Sequence, residues 1–477
     1  MIRTGRFRTL DKDLRRISHA EAAQMHAFRP VWQLGLLVLG MVALIVLVVG
    51  LSGAGAGMVG LGAGLIVAAW LGLAIGSNDV ANSLAPAVGA GAIRLLPGLV
   101  LVALAEVAGA VLAGGAVSQR LAGGIVDPAQ LAVTGSGALV MLSALIGAAS
   151  WITLATGIGL PVSTSHSIVG GIAGAGAAAL GLSGVAWGTV GMIASAWVAA
   201  PVLAGMLAGG LVIFLRYKIM NTEDRGAGAR LWLPPLVAAM CALFAAYVVL
   251  LLGRPGGGAG PVLAAALVAG GLGWGTTRQG VARELAQQGK PSAKRLLRPA
   301  LVVSIVIMGF AHGANDVGNV AGPLSVIIGT ADNGGGYGSV PMAALLAAGL
   351  MIALGTVLFG GRLVVMVGGG ITRLNAGRAF CVTLATSFVV LVASGSGLPV
   401  STTHVAVGGV FGVGFAREWL DRQRLRGRPD LPEEEQSRRR LIRRSHVATI
   451  TAAWAVTLPV TAGLGAAACW LMLRLAA

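Results

Sequence analysis

Two short motifs, each present twice in the chain, hold the polar residues best suited to chemistry. The first motif reads GSNDVAN at 76–82 and returns as GANDVGN at 313–319. The second reads GLPVSTSH at 159–166 and returns as GLPVSTTH at 397–404. The start positions differ by 237 residues for the first motif and by 238 for the second. Two motifs repeated in one order at nearly one offset indicate two copies of one structural unit.

The first motif places an aspartate, Asp79 or Asp316, at the end of an apolar segment in each copy. An aspartate at the centre of a membrane helix costs roughly 2.5–3.5 kcal/mol, so each one needs a partner. Amide oxygens beside the carboxylates are hard ligands that suit a cation. The predicted sites for a coupling cation and substrate are Asn78, Asp79, Asn82, Asn315, Asp316 and Asn319, with Na⁺ or a proton as the partner. For Na⁺ itself the predicted ligands are Asp79, Asn82, Asp316 and Asn319.

The glycine that opens each copy of this motif, Gly76 or Gly313, is expected to let the backbone leave the helix and expose carbonyl oxygens. The alternative for the whole motif is an Asn-Asp cap at the end of a loop. Duplication of the motif disfavours that alternative.

The second motif has the composition of a helix start inside an apolar segment. Proline breaks the preceding helix, and serine or threonine caps the next one. The N–H groups and positive dipole end of a helix, together with hydroxyl donors, form an anion site. The predicted anion-binding residues are Ser163, Thr164, Ser165, Ser401, Thr402 and Thr403. The alternative is that these hydroxyls only cap the helix and bond within it.

Three histidines stand beside the motifs: His166, His312 and His404. They could relay protons or donate to an anion, and a packing role is the alternative. Glu106 is a lone carboxylate in an apolar segment, without a counterpart near 340–360. Its expected role is structural or that of a peripheral proton carrier.

Composition identifies the class of protein. The chain has 477 residues, of which 56% are hydrophobic and 11% charged, and its mean hydropathy is +0.85. Soluble domains carry about 25% charged residues, so a soluble enzyme and a disordered chain are both excluded. We predict an all-α polytopic membrane protein with 12–13 helices. The candidate spans are roughly 31–51, 57–80, 95–117, 136–158, 165–183, 187–215, 231–253, 259–277, 299–316, 340–360, 379–396, 402–416 and 446–475.

The net charge of +17 comes from a few basic segments, which we interpret as orientation signals and not as a nucleic-acid surface. These segments are 1–30, 216–230, 278–298 and 417–444. The positive-inside rule places all four in the cytoplasm, with the N-terminus, and the number of spans between them is even each time. The two copies, 57–215 and 299–475, then have opposite topology, as is typical of secondary transporters with broken helices.

The predicted organisation follows from these assignments. It comprises a cytoplasmic tail at 1–30, an extra span at 31–56, repeat 1 at 57–215, a cytoplasmic loop and helical hairpin at 216–298, and repeat 2 at 299–475 with a basic loop at 417–445. Paired anion and cation sites in such a scaffold predict a cation-coupled anion symporter. No nucleophile–base pair stands out, so we predict no enzyme and no catalytic residues.

The segments GSNDVANSLAPAVGAGAI and FAHGANDVGNVAGPLSVI, with the two GLPVST[ST]H boxes, resemble the inorganic phosphate transporter (PiT) family. The resemblance implies phosphate symport driven by Na⁺ or H⁺, inverted repeats, a homodimer, and the Asp/Asn and Ser/Thr residues above as ligands. It also implies a bacterial inner membrane location and no cofactor beyond the co-transported ion, and some members carry metal–phosphate complexes. Ser77, Gly318 and the Leu84–Pro86 stretch depart from the usual pattern.

The function predicted is import of inorganic phosphate, coupled to Na⁺ or H⁺, by alternating access. Two alternatives remain open at this point. One is a sulfate or other oxyanion permease on the same scaffold, and the other is an uncoupled anion channel.

Overall fold

The computed structural model describes residues 56–157, 162–220, 222–253, 258–287, 292–331, 340–368, 375–425 and 444–476. Apart from Ala56, the predicted tail and extra span at 1–56 lie outside these residues, as does most of the predicted basic loop at 417–445. Within the described ranges the backbone is helical, with one isolated antiparallel bridge between Val126 and Val185.

The helices follow one another along the chain. They are α1 Ala56–Gly89, α2 Leu95–Ala113, α3 Gly115–Gly123, α4 Pro128–Thr134, α5 Gly137–Gly157, α6 Thr164–Leu180, α7 Trp187–Leu215, α8 Arg225–Leu252, α9 Ala259–Leu285, α10 Ala293–Leu296, α11 Arg298–Asp316, α12 Gly318–Ala331, α13 Met342–Met366, α14 Ala376–Gly395, α15 Thr402–Leu425 and α16 Arg444–Ala476.

Ten segments of the described chain are long and apolar enough to cross a membrane. The expected all-α polytopic membrane fold is therefore confirmed. The helices that follow the two Ser/Thr boxes, α6 and α15, are not among these ten. At 1.5 Å per residue, the 17 residues of α6 span about 26 Å, less than the roughly 30 Å hydrocarbon core. Both helices start at buried residues, as expected for helices that begin inside the protein.

The two halves of the chain pack against each other in matched pairs. Helix α1 of the first half packs on α13 of the second, and α11 of the second half packs on α2 of the first. In the same way α6 packs on α16, and α15 packs on α7. Each half therefore completes the core of the other. Helices α8 and α9, which connect the halves, pack mainly on each other and leave most of their apolar surface exposed.

The expectation that Gly76 and Gly313 let the backbone leave the helix is wrong. Gly76 lies inside α1 and Gly313 lies inside α11. A Cβ added to Gly76 would lie 1.9 Å from the carbonyl oxygen of Ile352, and one added to Gly313 would lie 2.0 Å from that of Glu106. These glycines allow two helix backbones to touch, which is how small residues act in membrane helix packing.

Candidate functional site

The aspartates of the two motifs meet in the interior of the protein. Asp79 on α1 is 3% exposed, and Asp316 at the end of α11 is 1% exposed. Ligand atoms of Asp79, Asp316 and His312 all lie within 4.8 Å of one another. The helix that carries the second copy of the first motif, α11, ends at Asp316, and Val317 separates it from α12. Two buried acids from opposite halves of the chain thus share one small region.

The first acid is held by a residue of the second half. The Thr403 hydroxyl donates to Oδ1 of Asp79 at 3.2 Å, and Nδ2 of Asn82 donates to that hydroxyl at 2.8 Å. Nδ2 of Asn78 also donates to Oδ1 of Asp79, at 3.0 Å. The sequence motifs of both halves therefore build one hydrogen-bond network around Asp79.

The second acid is held by its neighbour and by the box before α15. Nδ2 of Asn315 donates to Oδ1 of Asp316 and to the carbonyl of Val400, both at 2.6 Å. The Val400 N–H returns a hydrogen bond to Oδ1 of Asn315 at 3.1 Å. The Thr402 hydroxyl lies 3.5 Å from Oδ2 of Asp316. Asn315 thus fixes the extended segment that leads into α15 against α11.

The Ser/Thr boxes start helices as predicted, and their first serines are caps. Oγ of Ser163 accepts from the His166 N–H at 3.2 Å, and Oγ of Ser401 accepts from the His404 N–H at 3.4 Å. For these two hydroxyls the capping interpretation describes the geometry.

The other hydroxyls of the boxes lie in or next to the first helical turn. The Ser165 hydroxyl donates across the halves to the carbonyl of Val400 at 3.1 Å. Thr164 is buried in the first turn of α6. The hydroxyls of Thr402 and Thr403 contact Asp316 and Asp79, as described above. The boxes of both halves therefore meet beside the acids.

Glu106, for which the sequence predicts a structural role or that of a peripheral proton carrier, lies next to the site. It is fully buried, and its Oε1 lies 2.8 Å from Nδ1 of His312, whose Nε2 lies 2.8 Å from Oδ2 of Asp316. The Thr356 hydroxyl donates to Oε2 of Glu106 at 2.8 Å. A continuous polar chain therefore runs from α13 through α2 and α11 to Asp316.

The positions that correspond to this chain under the repeat lack its polar residues. The first motif aligns Ile75 with His312, and the glycine contacts described above align Ile352 with Glu106. Sequence reasoning missed Thr356 altogether. One sequence feature pointed to such a partner: Glu106 has no counterpart in the second copy. A buried carboxylate that the repeat does not explain needs hydrogen-bond donors from elsewhere in the chain.

The remaining histidines lie at the junction of the two boxes. The rings of His166 and His404 are 4.8 Å apart, centre to centre, and that of His166 lies 3.8 Å from Trp197. The Trp197 indole donates to the carbonyl of Pro399 at 2.8 Å. These two imidazoles are in contact with each other, whereas His312 contacts the acids.

Asn319 differs from its counterpart Asn82. It is fully buried, and among the described residues neither its Oδ1 nor its Nδ2 has a hydrogen-bond partner. A buried polar group without a partner costs about 1–3 kcal/mol. A cation, water or anion at this position would satisfy the amide. The oxygen-rich set around Asp79 and Asp316 has the chemistry of a small hard cation site.

The sequence profile described as the Phosphate transporter family matches residues 75–465, which include all four motif copies. The chain belongs to this family. It is therefore a transporter and not an enzyme, as predicted, and the family supports phosphate as what it transports.

Two known proteins illustrate the similarity. A Helicobacter pylori (strain J99) protein, which carries the provisional name phosphate permease, is 37% identical over 387 residues, covering 79% of this chain and 70% of the relative. A solved structure titled "The sodium-dependent phosphate transporter" is 32% identical, with a TM-score of 0.74, and the match covers 86% of this chain and 99% of that one.

Proposed function

We propose that this protein is a secondary active symporter that imports inorganic phosphate together with a cation. One observation carries the proposal: Asp79 and Asp316, from opposite halves, are buried together and contact the hydroxyls of the second Ser/Thr box. Two buried carboxylates repel each other and would repel a phosphate dianion. A bound cation relieves both repulsions, so cation and phosphate each strengthen binding of the other.

Na⁺ is the first candidate for the cation. Carboxylate and hydroxyl oxygens of Asp79, Asp316 and Thr403 lie together in this region, and hard oxygens are what such ions prefer. The buried amide of Asn319, three residues after Asp316, has no hydrogen-bond partner among the described residues and is proposed as a further oxygen ligand. The structural relative titled a sodium-dependent phosphate transporter has the same overall fold.

A proton is the second candidate, favoured by the His312 imidazole between Glu106 and Asp316. A histidine in contact with two carboxylates can hold a proton that either acid shares. This arrangement joins the two halves at Asp316 and has no counterpart at Asp79, so proton and Na⁺ coupling would use different parts of the site.

Phosphate is proposed to bind where the starts of α6 and α15 face the acids. The N–H groups of a helix start and the hydroxyls of Thr164, Ser165, Thr402 and Thr403 are suitable donors for phosphate oxygens. Because Ser163 and Ser401 cap their helices, their proposed role is to hold the first turns of α6 and α15 in place around the phosphate. His166 and His404 lie at the same junction and are proposed to contact the anion or relay protons.

Alternating access is proposed to arise from rocking of the two halves about this shared site. The proposal keeps the inverted topology, the cytoplasmic N-terminus, the bacterial inner membrane and the homodimer that the sequence predicts. Metal–phosphate as the transported form also stays a prediction.

Uptake of labelled phosphate by reconstituted vesicles tests the proposal. An inward Na⁺ gradient at equal pH, and an inward proton gradient without Na⁺, are imposed separately. Accumulation above equilibrium under one gradient supports symport and names the ion. Equilibration without accumulation under both gradients would indicate a channel, and stronger inhibition by sulfate than by unlabelled phosphate would indicate an oxyanion permease.

A further inference from the structure

A second cluster of charge lies outside the buried transport site. A cavity of about 370 Å³ is formed between the end of α7 and the starts of α8, α10, α14 and the C-terminal half of α15. None of the motif residues lines it. Five cationic side chains line it: Arg216, Arg225, Lys294, Arg378 and Arg417.

Acidic residues in the described part of the chain neutralise these cations only in part. Asp421 pairs with Arg216 at 3.3 Å and with Arg417 at 3.5 Å. Arg378, on α14, lines the same cavity and lies close enough to both of these arginines and to Asp421 to interact with them electrostatically. Among the described residues, the five lining cations and the one carboxylate paired with them leave a formal excess of four positive charges. Like charges held this close repel one another, and a bound anion would remove that repulsion.

The backbone around the cavity also suits an anion. Helix α14 starts here, with Asn375 as its cap, accepting from the Arg378 N–H at 3.0 Å. Ala376 and Gly377, in the first turn of that helix, line the cavity. First-turn N–H groups and the helix dipole favour negative charge. The lining residue Arg216 opens a π-helical segment, Arg216–Met220, a distortion that is frequent at functional sites.

The size of the cavity favours more than one phosphate group. Ligand pockets are typically about 300–1,000 Å³, and this cavity falls in that range. A single phosphate dianion would neutralise only half of the excess charge. Arginine is the residue suited to bidentate binding of phosphate oxygens, and four of the five lining cations, Arg216, Arg225, Arg378 and Arg417, are arginines.

We propose that this cavity is a second anion site, which binds a phosphate-bearing polyanion such as an oligophosphate. By the positive-inside rule it lies on the cytoplasmic face, because it is formed by the basic segments that follow α7 and precede α11. The ligand is either a soluble oligophosphate or the headgroup of an anionic phospholipid that carries two or more phosphates, and the two share the same chemistry. The site does not depend on the transport mechanism proposed above.

Binding of inorganic tripolyphosphate to the purified full-length protein tests the proposal. Titration calorimetry in magnesium-free buffer, with the protein in nanodiscs of neutral lipid, should show saturable binding that weakens as salt rises. Arg378→Gln and Arg417→Gln should each weaken it about tenfold or more, because a charged hydrogen bond to phosphate is lost. Arg422→Gln, an exposed arginine of α15 outside the cavity, is the matched control and should bind as the wild type does.

Two further measurements distinguish a lipid headgroup from a soluble oligophosphate, and the second anion site from the transport site. If nanodiscs containing cardiolipin, whose headgroup carries two phosphates, block tripolyphosphate binding in the wild type, the site is supported and the headgroup is its occupant. Asp79→Asn should bind tripolyphosphate normally while losing transport, which keeps this proposal distinct from the symport mechanism. Absence of binding in neutral nanodiscs, or equal affinity in the wild type and a folded Arg378→Gln variant with an unchanged melting temperature, would overturn the second site.

Discussion

The Thr403 hydroxyl offers the sharpest test of how the two halves cooperate. It accepts a hydrogen bond from Asn82 at 2.8 Å and donates one to Asp79 at 3.2 Å, so it joins the second Ser/Thr box to the first acid motif. Thr403→Val keeps the shape of the side chain and removes both bonds. Unmaking buried hydrogen bonds costs about 1–3 kcal/mol per group, and since this network is partly buried we take about 2 kcal/mol in all.

A cost of about 2 kcal/mol corresponds to roughly a 30-fold change in an equilibrium constant. We expect Thr403→Val to raise the cation concentration for half-maximal phosphate uptake by about this factor. Thr403→Ser, which keeps the hydroxyl, should remain within about threefold of the wild type. The assay is initial uptake of labelled phosphate by reconstituted vesicles over a series of cation concentrations.

Thermal unfolding of each purified variant separates a transport role from a structural one. A melting temperature near that of the wild type, together with a large loss of cation affinity, supports the role of Thr403 in the site. If a folded Thr403→Val protein showed the cation dependence of the wild type, the hydrogen-bond network would have no part in cation binding, and the reasoning from geometry would be refuted.

Three further substitutions test other parts of the structure. Asp316→Asn should abolish concentrative phosphate uptake and leave the amount of protein in the membrane fraction unchanged, because it removes a buried charge without changing shape; wild-type uptake would count against the site. Gly313→Ala should lower the melting temperature sharply, since its Cβ would lie 2.0 Å from a backbone oxygen, whereas Gly62→Ala, with nothing within 4 Å, should not. Ser163→Ala should cost about 1 kcal/mol of stability through loss of the cap, and Ser163→Gly only a few tenths, as measured by unfolding; equal stability of the two would contradict a capping role.

The duplicated motifs predict more of the fold than composition alone does. Composition predicts a membrane protein, and the order and spacing of the motifs predict two like halves. The start of α6 at Thr164 and of α15 at Thr402 follows from local chemistry, because proline and hydroxyl residues decide where a helix begins. The interval 299–316 for the span before the second acid differs from the helix, Arg298–Asp316, by one residue.

Other features depend on contacts that sequence spacing does not encode. Helix α1 was expected to end at residue 80 but continues to Gly89, through the motif and Pro86. The polar side chains find partners without breaking the helix: Ser77 bonds back to the Ala74 carbonyl at 2.9 Å, and Asp79 is bonded by Thr403. A change from apolar to polar residues therefore marked the site and not the end of the helix.

The contacts of Glu106 are another feature that the sequence does not predict. Its partners His312 and Thr356 are 206 and 250 residues away in sequence, and they meet only because α2, α11 and α13 pack closely at glycines. A repeat-based comparison is biased against such residues, since it searches for features present in both halves. The asymmetric polar chain is thus the part of the site that the motifs could not predict.

Entry of the cation together with phosphate tests the central claim most directly. Vesicles containing the wild-type protein or Asp79→Asn are given external phosphate, and entry of radioactive Na⁺ and of protons is followed at zero membrane potential. The account predicts that phosphate stimulates entry of one of these ions in the wild type, in a fixed ratio to phosphate, and that neither flux occurs in Asp79→Asn. Phosphate entry in the wild type with no accompanying Na⁺ or proton, or unaltered coupled entry in Asp79→Asn, would contradict it.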